Sequence, residues 1–387
     1  MFGVESFGFG AVEPDHFSGS HFEALAFKAV DNLADNIFFN AVGFDNAQCL
    51  FHNDDSLCNI GRVFAQKRRQ SKSSIERETK MFLKNFTGTL LVLLLGLFTS
   101  LSVLATPLIL SHRGASYWAP EETRPSYLLA SLLGGDYWEM DIQRTKDNVL
   151  IALHDLTLER TTNVAEIFPG REKDPVETFT WAELQKLDAG SWFNKKNSDR
   201  ARDSYKGLKI LSFEEVIDLA LRSKYSGGLY VESKNPEHYA GMEQQMLDLL
   251  KKKKWLGPKN QMTHRLYFQT FGRDSAVIFK KIAPTIPCTL LIDDEHKETW
   301  PDDIKFGVEH QFVLGPPIAL FDSPENKEAV LKSKARAHVW TIDEESQIQK
   351  AKDLNLDGIF TNRTDLAVFI YKKKAAPVGQ YLKQLKY

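Results

Sequence analysis

Cysteine is scarce in this 387-residue chain: there are three, at positions 49, 58 and 288. Three thiols are too few for a disulfide framework. Excess charge of either sign is also missing, with 49 Lys and Arg against 51 Asp and Glu and a net charge of -2. No basic excess points to a nucleic-acid binder, so no nucleic-acid partner is expected. A composition 43% hydrophobic, with 26 Phe and seven Trp, excludes a generally disordered chain. Tryptophan is absent from residues 1–80, and all seven lie between Trp118 and Trp340. The same leader holds two of the three Cys, at 49 and 58, and shows neither helical nor strand periodicity. It ends in a polar run at 66–80 rich in Lys, Arg and Ser.

Beyond the leader stand Met81, Lys84, an apolar run at 90–98 and the sequence Ser-Val-Leu-Ala at 102–105. A basic start, a short apolar core and small residues at Val103 and Ala105 are the marks of a secretory signal peptide. A membrane-spanning helix is the competing reading, but Thr99, Ser100 and Ser102 interrupt the run and a cleavage pattern follows. The expected organisation is therefore a leader at 1–80 foreign to the native protein, a signal peptide at 81–105 starting at Met81, and a mature chain at 106–387. A periplasmic or secreted location follows, with no stable membrane insertion once the signal is removed. The residue directly after Ala105 is Thr106 rather than Cys, so a lipoprotein anchor is not supported, and the mature chain keeps only Cys288.

From residue 106 short β-rich runs alternate with helical patterns. The runs fall at 108–111, 137–142, 149–153, 229–233, 266–269, 289–292, 312–314, 338–342 and 358–361. Helix-like stretches occupy, among others, 125–133, 213–223, 239–255 and 275–282. Such alternation implies parallel βαβ units. The second and third runs are joined by Lys146-Asp147-Asn148, a hairpin turn signal. Setting that hairpin arm aside leaves eight strands in about 250 residues, the size of a (β/α)8 TIM barrel. The interval at about 161–210 breaks the rhythm and is expected to be a small inserted subdomain after the second-strand hairpin. It forms either a wall of the active site or a surface excursion. The lysines at 372–374, 383 and 386 read as a solvated tail.

Polar groups gather at the ends of the expected strands, where barrel active sites assemble. The first run ends in His112-Arg113-Gly114, and the second contains Glu139 and Asp141, two apart and so on one face. The hairpin arm ends in His154-Asp155, and the next strand contains Glu232 and Lys234. Glu139, Asp141 and Glu232 make a hard oxygen site for Ca²⁺ or Mg²⁺ rather than zinc, with Ca²⁺ the ion expected. His112 and His154 suit general acid and base work, and Arg113 and Lys234 offer positive charge to a phosphoryl group. Together they fit cleavage of a phosphodiester.

The sequence resembles the glycerophosphodiester phosphodiesterase family, and within it the bacterial periplasmic branch. The matching text is Ser-His-Arg-Gly-Ala-Ser at 111–116, Pro-Glu-Glu-Thr at 120–123 and Trp-Glu-Met-Asp-Ile at 138–142. It continues through Leu-His-Asp at 153–155, Leu-x-Arg-Thr-Thr at 158–162, Val-Glu-Ser-Lys at 231–234, Val-Trp-Thr at 339–341 and Asp-Gly-Ile-Phe-Thr-Asn at 357–362. The resemblance implies a TIM barrel, His112 and His154 as the acid-base pair, and Glu139, Asp141 and Glu232 as ligands of a divalent cation. It also implies phosphate contacts from Arg113 and Lys234, an orienting role for Glu121, a supporting one for Asp155, and Gln269 and Trp340 at the rim. Two positions depart from the family pattern: Glu122 stands where Asn or His is usual, and Asn362 where many members have Asp.

The implied reaction is hydrolysis of a deacylated phospholipid, a small-molecule glycerophosphodiester, to sn-glycerol 3-phosphate and an alcohol through a cyclic phosphate. The sequence leaves open which histidine is the base, the preferred alcohol and the oligomeric state. Two rivals stand beside it. A phosphodiesterase acting on lysophospholipid needs an apolar loop surface, for which Tyr117-Trp118 and Trp192-Phe193 are the candidates. A non-catalytic binding protein is disfavoured by the intact histidines and carboxylates.

Overall fold

The structure is a computed structural model that describes residues 106–387 apart from 224–226, 259–260 and 263. The expected leader at 1–80 and signal peptide at 81–105 lie outside the described residues. Nine strands are present: β1 (Leu108–Ser111), β2 (Tyr137–Arg144), β3 (Leu150–Ala152), β4 (Gly228–Ser233), β5 (Leu266–Thr270), β6 (Cys288–Leu291), β7 (Val313–Gly315), β8 (His338–Val339) and β9 (Gly358–Thr361). Eight of them pair in parallel in the order β7-β6-β5-β4-β2-β1-β9-β8, while β3 pairs antiparallel with β2 as the hairpin arm and makes a single antiparallel bridge from Ile151 to Ser212. Single parallel bridges from Leu314 to Ala337 and from Pro317 to Trp340 join the two end strands and close the cylinder. The result is the expected TIM barrel.

Eight helices follow the strands: α1 (Arg124–Leu133), α2 (Phe213–Arg222), α3 (Met242–Lys252), α4 (Arg273–Ile282), α5 (Trp300–Glu309), α6 (Pro324–Ser333), α7 (Glu345–Asp353) and α8 (Thr364–Lys372). Local chemistry sets their ends. At α2 the Ser212 hydroxyl accepts from the Glu215 amide while the Glu215 carboxylate accepts from the Ser212 amide, satisfying two donors that a helix start leaves open. At α1 the chain leaves through Gly134 in the left-handed region. A ninth helix, α9 (Val378–Gln384), buries Leu382 against the main core. The lysines at 372–374, 383 and 386 are exposed as expected, but the segment between them packs as a helix rather than trailing as a tail, and Lys372 reaches back to Asp136 at 3.0 Å.

Two further expectations are trimmed. The helix expected at 239–255 begins at Met242, because Gly241 takes a φ of 74° and breaks the turn before it. The strand expected at 338–342 keeps only His338 and Val339, and the flanking Ala337 and Trp340 make single bridges to Leu314 and Pro317.

Strand periodicity sorts the side chains. On β2, β4 and β5 the residues Trp138, Met140, Val231 and Phe268 belong to the core shared with α1–α4. Their alternates point into the barrel in two layers. The lower layer is aromatic, with Tyr137, Tyr230, Tyr267 and Phe360 packed together and the Tyr230 and Tyr267 rings stacked at 4.8 Å. The upper layer is polar: Glu139, Asp141, Glu232 and Gln269. The aromatic plug seals one end, so the polar groups face a single mouth.

Between β3 and α2 the chain makes three short helices, Val164–Ile167, Trp181–Leu184 and Ser191–Lys196. Leu158, Val164, Val176, Phe179, Leu184 and Leu187 form a core of their own against Ile151 and Leu153 of the hairpin. Among the described residues no helix is long and apolar enough to cross a membrane.

The plug contains a titrating group. His338 is fully buried, with Nδ1 at 2.8 Å from the Tyr230 hydroxyl and Nε2 without a partner. Burial, aided by Arg336, pushes the imidazole down from 6.5 to about 3. The unfolded chain therefore binds this proton more readily than the folded one. The stability held by the neutral ring is whole above pH 6.5 and is lost as the pH falls toward 3, at up to about 1.4 kcal/mol per pH unit. His338→Gln is expected to lose less stability than the parent between pH 6.5 and 4.5 when urea midpoints are compared. Parallel curves for the two proteins would contradict this.

Candidate active site

The mouth of the barrel is a cleft lined by His112, Arg113, Glu139, Asp141, His154, Glu232, Lys234, Gln269, Phe271 and Trp340, among others. Nine of the eleven residues singled out in the sequence thus meet on one surface. The other two, Glu121 and Asp155, stand just behind it.

Register explains the acidic group. Asp141 pairs with Glu232 across adjacent parallel strands, and Glu232 pairs with Gln269 on the next. Together with Glu139, two residues below Asp141, this brings one oxygen from each of the three carboxylates within 4.8 Å of the others. All three are buried. Burial and the facing Asp141 and Glu232 charges raise Glu139 well above the usual carboxylate range. Burial pushes Glu232 up to about 7, with Lys234 opposing the rise and Asp141 adding to it. Burial also works to raise Asp141, but His154, Lys234 and Arg113 outweigh it and hold its carboxyl low.

Cations answer these charges. Arg113 Nε lies 3.3 Å from Asp141, and Lys234 Nζ lies 3.1 Å from Glu232 and 3.7 Å from Asp141. Arg113 reaches its place through a left-handed turn, φ 57°, in which its amide donates to Glu139 at 2.8 Å. The following Gly114, at φ 82°, sits so close to Ser126 that a Cβ would approach within 2.7 Å, which admits only glycine.

The donor set fits a cation. Asp141 Oδ2 and Glu232 Oε1 are buried and faced by Arg113 Nε at 3.3 Å and Lys234 Nζ at 3.1 Å, while the buried Gln269 Oε1 accepts no hydrogen bond. Gln269 donates through Nε2 to Glu139 at 2.7 Å. Three hard carboxylates gathered this closely could hold a divalent ion.

The two histidines have different partners. His112 Nδ1 lies 2.9 Å from Asn362 Oδ1, and the amide is oriented by its own Nδ2–H donation to Asp343 at 2.6 Å. His112 must therefore donate through Nδ1, leaving Nε2 as an acceptor. Burial and the Arg113 charge push this ring down to about 3, so it is neutral near pH 7. His154 Nδ1 lies 2.7 Å from Asp155 Oδ1. Burial opposes ionisation of Asp155, but the hydrogen bonds from His154 and Arg160 prevail and hold it below the usual range, so the acceptor there is a carboxylate.

Four participants escaped assignment from the sequence. Arg160 pairs with both Glu121 and Asp155. Asn362 and Asp343 orient His112. Glu122 is buried, accepting from the Asp141 amide at 2.9 Å and from the Tyr127 hydroxyl. Three of the four lie in or beside the quoted motifs, at 120–123, 158–162 and 357–362, and only Asp343 had no signal. The candidate apolar pairs are occupied otherwise: Tyr117 is covered by the Arg200 and Arg363 guanidiniums at 3.8 and 4.1 Å. The Trp118 carbonyl accepts from Tyr205, and Phe193 packs on Tyr205.

Fold and cleft together define an α/β-barrel protein with a cation-ready acidic mouth flanked by two histidines. Within that class the chain belongs to the glycerophosphoryl diester phosphodiesterase family, whose model matches residues 112–366. A glycerophosphodiester phosphodiesterase of Bacillus subtilis (strain 168) is 34% identical over 298 residues, covering 73% of this chain and 97% of that protein. One from Caldanaerobacter subterraneus is 27% identical and covers 69% of this chain and 98% of its own length. Among solved structures, the glycerophosphodiester phosphodiesterase of Agrobacterium tumefaciens matches with a TM-score of 0.51 and 25% identity over 67% of this chain and 98% of that one. An Oleispira antarctica phosphodiesterase in complex with the product sn-glycerol-3-phosphate has the same fold, with a TM-score of 0.54 at 23% identity over 70% of this chain and 98% of that one.

Cation binding is open to direct measurement. An ion that binds only the folded state stabilises it by about 2.7 kcal/mol at 100 times its Kd. Adding Ca²⁺ to chelator-stripped protein is expected to raise Tm by several degrees, and Glu232→Gln to abolish most of the rise. A melting curve indifferent to both the ion and the substitution would contradict the site.

Proposed function

We propose that the protein hydrolyses glycerophosphodiesters to sn-glycerol 3-phosphate and an alcohol, with His112 as the first base and His154 as the first acid. The observation that carries this reading is the contrast between the two histidines. Each commits Nδ1 to a fixed acceptor, a neutral amide for His112 and a carboxylate for His154. A neutral imidazole with a free Nε2 can take a proton, and one backed by a carboxylate is suited to give one. The names carried by the family and by the Bacillus subtilis relative support the substrate class.

Glu139, Asp141 and Glu232, with the Gln269 carbonyl, would hold the divalent cation. Bound there, the ion supplies positive charge that offsets the charge developing on the phosphoryl group. The number of protein oxygens favours Ca²⁺, which accepts six to eight, over the more strictly octahedral Mg²⁺. Arg113 and Lys234 bind the phosphate. His112 Nε2 takes the proton of the glycerol 2-hydroxyl as that oxygen forms its bond to phosphorus. His154 Nε2 delivers a proton to the departing alcohol oxygen as the phosphorus–oxygen bond breaks. Water then opens the cyclic phosphate: His154 takes its proton and His112 returns one to the glycerol oxygen. Trp340 and Phe271, whose rings meet edge to face at 5.8 Å, form an apolar rim to the cleft.

His112→Ala and His154→Ala are each expected to lower kcat on glycerophosphocholine roughly 10²–10⁴-fold, with little change in KM. A p-nitrophenol leaving group needs no proton, so it should rescue His154→Ala alone. Rescue of His112→Ala instead would reverse the assignment, and near-parental turnover by both variants would overturn the mechanism.

The reading extends to location. The basic start, apolar run and small residues around Val103 and Ala105 support export by a signal peptide at 81–105. Residues 106–387 are then the mature enzyme, with 161–210 as its inserted subdomain. N-terminal sequencing of the native protein should begin at Thr106, and recovery of any residue from 1–80 would refute this.

A further inference from the structure

Arg160 does not line the cleft, yet it makes the densest set of ion pairs near it. Its Nε and Nη2 lie 2.5 and 2.8 Å from the two oxygens of Asp155. Its Nη1 and Nη2 lie 2.8 and 2.7 Å from the two oxygens of Glu121. One guanidinium thus grips two carboxylates in bidentate fashion, which its planar fork of donors permits and a point charge does not. Each carboxylate holds a cleft residue in turn: Asp155 accepts from His154 at 2.7 Å, and Glu121 accepts from Arg113 Nη1 at 3.1 Å. The segment that supplies Arg160 also covers it, with the Trp192 ring centroid 5.8 Å from its Cζ.

We propose that Arg160 is a positioning residue for the hydrolysis, tying the Asp155–His154 pair and the Glu121–Arg113 pair into one frame so that the proton donor and the phosphate-binding cation stand at a fixed separation. The inference rests on the reading of His154 as the acid given above. Without Arg160, Asp155 and Glu121 face each other as like charges and move apart. His154 then loses its fixed bearing on the leaving oxygen, and misplacement of about 1 Å in such a group costs on the order of 10²-fold in rate. Lysine at this position keeps the charge but cannot grip both carboxylates.

The test measures the full protein on two substrates, glycerophosphocholine and the p-nitrophenyl ester of glycerol 3-phosphate. Arg160→Gln is expected to lower kcat on glycerophosphocholine about 10- to 100-fold with KM within about threefold. On the nitrophenyl ester, which needs no acid, the fall should be several-fold smaller, and Arg160→Lys should lie between parent and Gln. Equal falls on both substrates would mark general loosening of the barrel mouth and overturn the proposal, as would unchanged kcat. If Arg160→Gln does not fold, Arg160→Lys combined with Asp155→Asn decides. Little further loss in the double variant supports action through Asp155, and full multiplication of the two losses overturns it. Parent protein that turns over neither substrate would instead overturn the activity reading. Parent turnover with unselective Arg160 variants sinks this inference alone.

Discussion

Three carboxylates buried side by side are the constraint around which this barrel is arranged. Asp141 and Glu232 are neighbours in register on adjacent strands, and Glu139 lies two residues below. Uncompensated, such a group would repel itself and lose its solvation at once. Compensation comes from every side. Arg113 adopts a left-handed backbone to reach Asp141, Lys234 folds back over Glu232, and Gln269 turns its amide nitrogen toward Glu139. Beneath them the stacked tyrosines close the barrel, so the charges have only one exit, toward the mouth. Two cations stand against three carboxylates at this point, and a divalent cation among the carboxylates would complete the compensation.

That same cluster sets the character of the histidines. His112 shares its surroundings with Arg113, whose charge adds to burial in keeping the ring neutral. Its partner is an amide rather than a carboxylate, and burial outweighs the pull of Asp141 and of the Asn362 hydrogen bond toward a second proton. His154 is backed by a carboxylate that Arg160 holds ionised. Two identical side chains in one cleft are thus made chemically unequal by what stands behind them. Asn362 bears on this directly: it presents His112 with an uncharged acceptor, and Asp343 supplies the carboxylate one step further back.

The segment between β3 and α2 contributes by packing rather than by chemistry of its own. Of its aromatic residues, Tyr205 donates to the Trp118 carbonyl on the loop after β1 and packs on Phe193, while Phe179 is buried in the segment's own core. Through Arg160 the same segment binds Asp155 and Glu121, which in turn hold His154 and Arg113 of the cleft.

Much of this was legible in the sequence. Alternating β-rich and helical runs, one turn signal and a count of eight strands imply a barrel, because hydrophobic periodicity depends on neighbours in the chain. The spacing of Glu139 and Asp141 places both on one face for the same reason. The extents of the helix at 239–255 and the strand at 338–342 were overestimated: Gly241 takes a positive φ ahead of the helix, and beyond Val339 the pairing falls to a single bridge from Trp340 to Pro317. What only the tertiary structure decided is pairing across the barrel. His112 finds Asn362 250 positions away, Gln269 finds Glu139 130 positions away, and Arg160 finds Glu121 39 positions away. A sequence lists which groups are present and which face of an element they share. Which lone pair meets which proton depends on strand register and barrel closure, and these are set by the whole core at once.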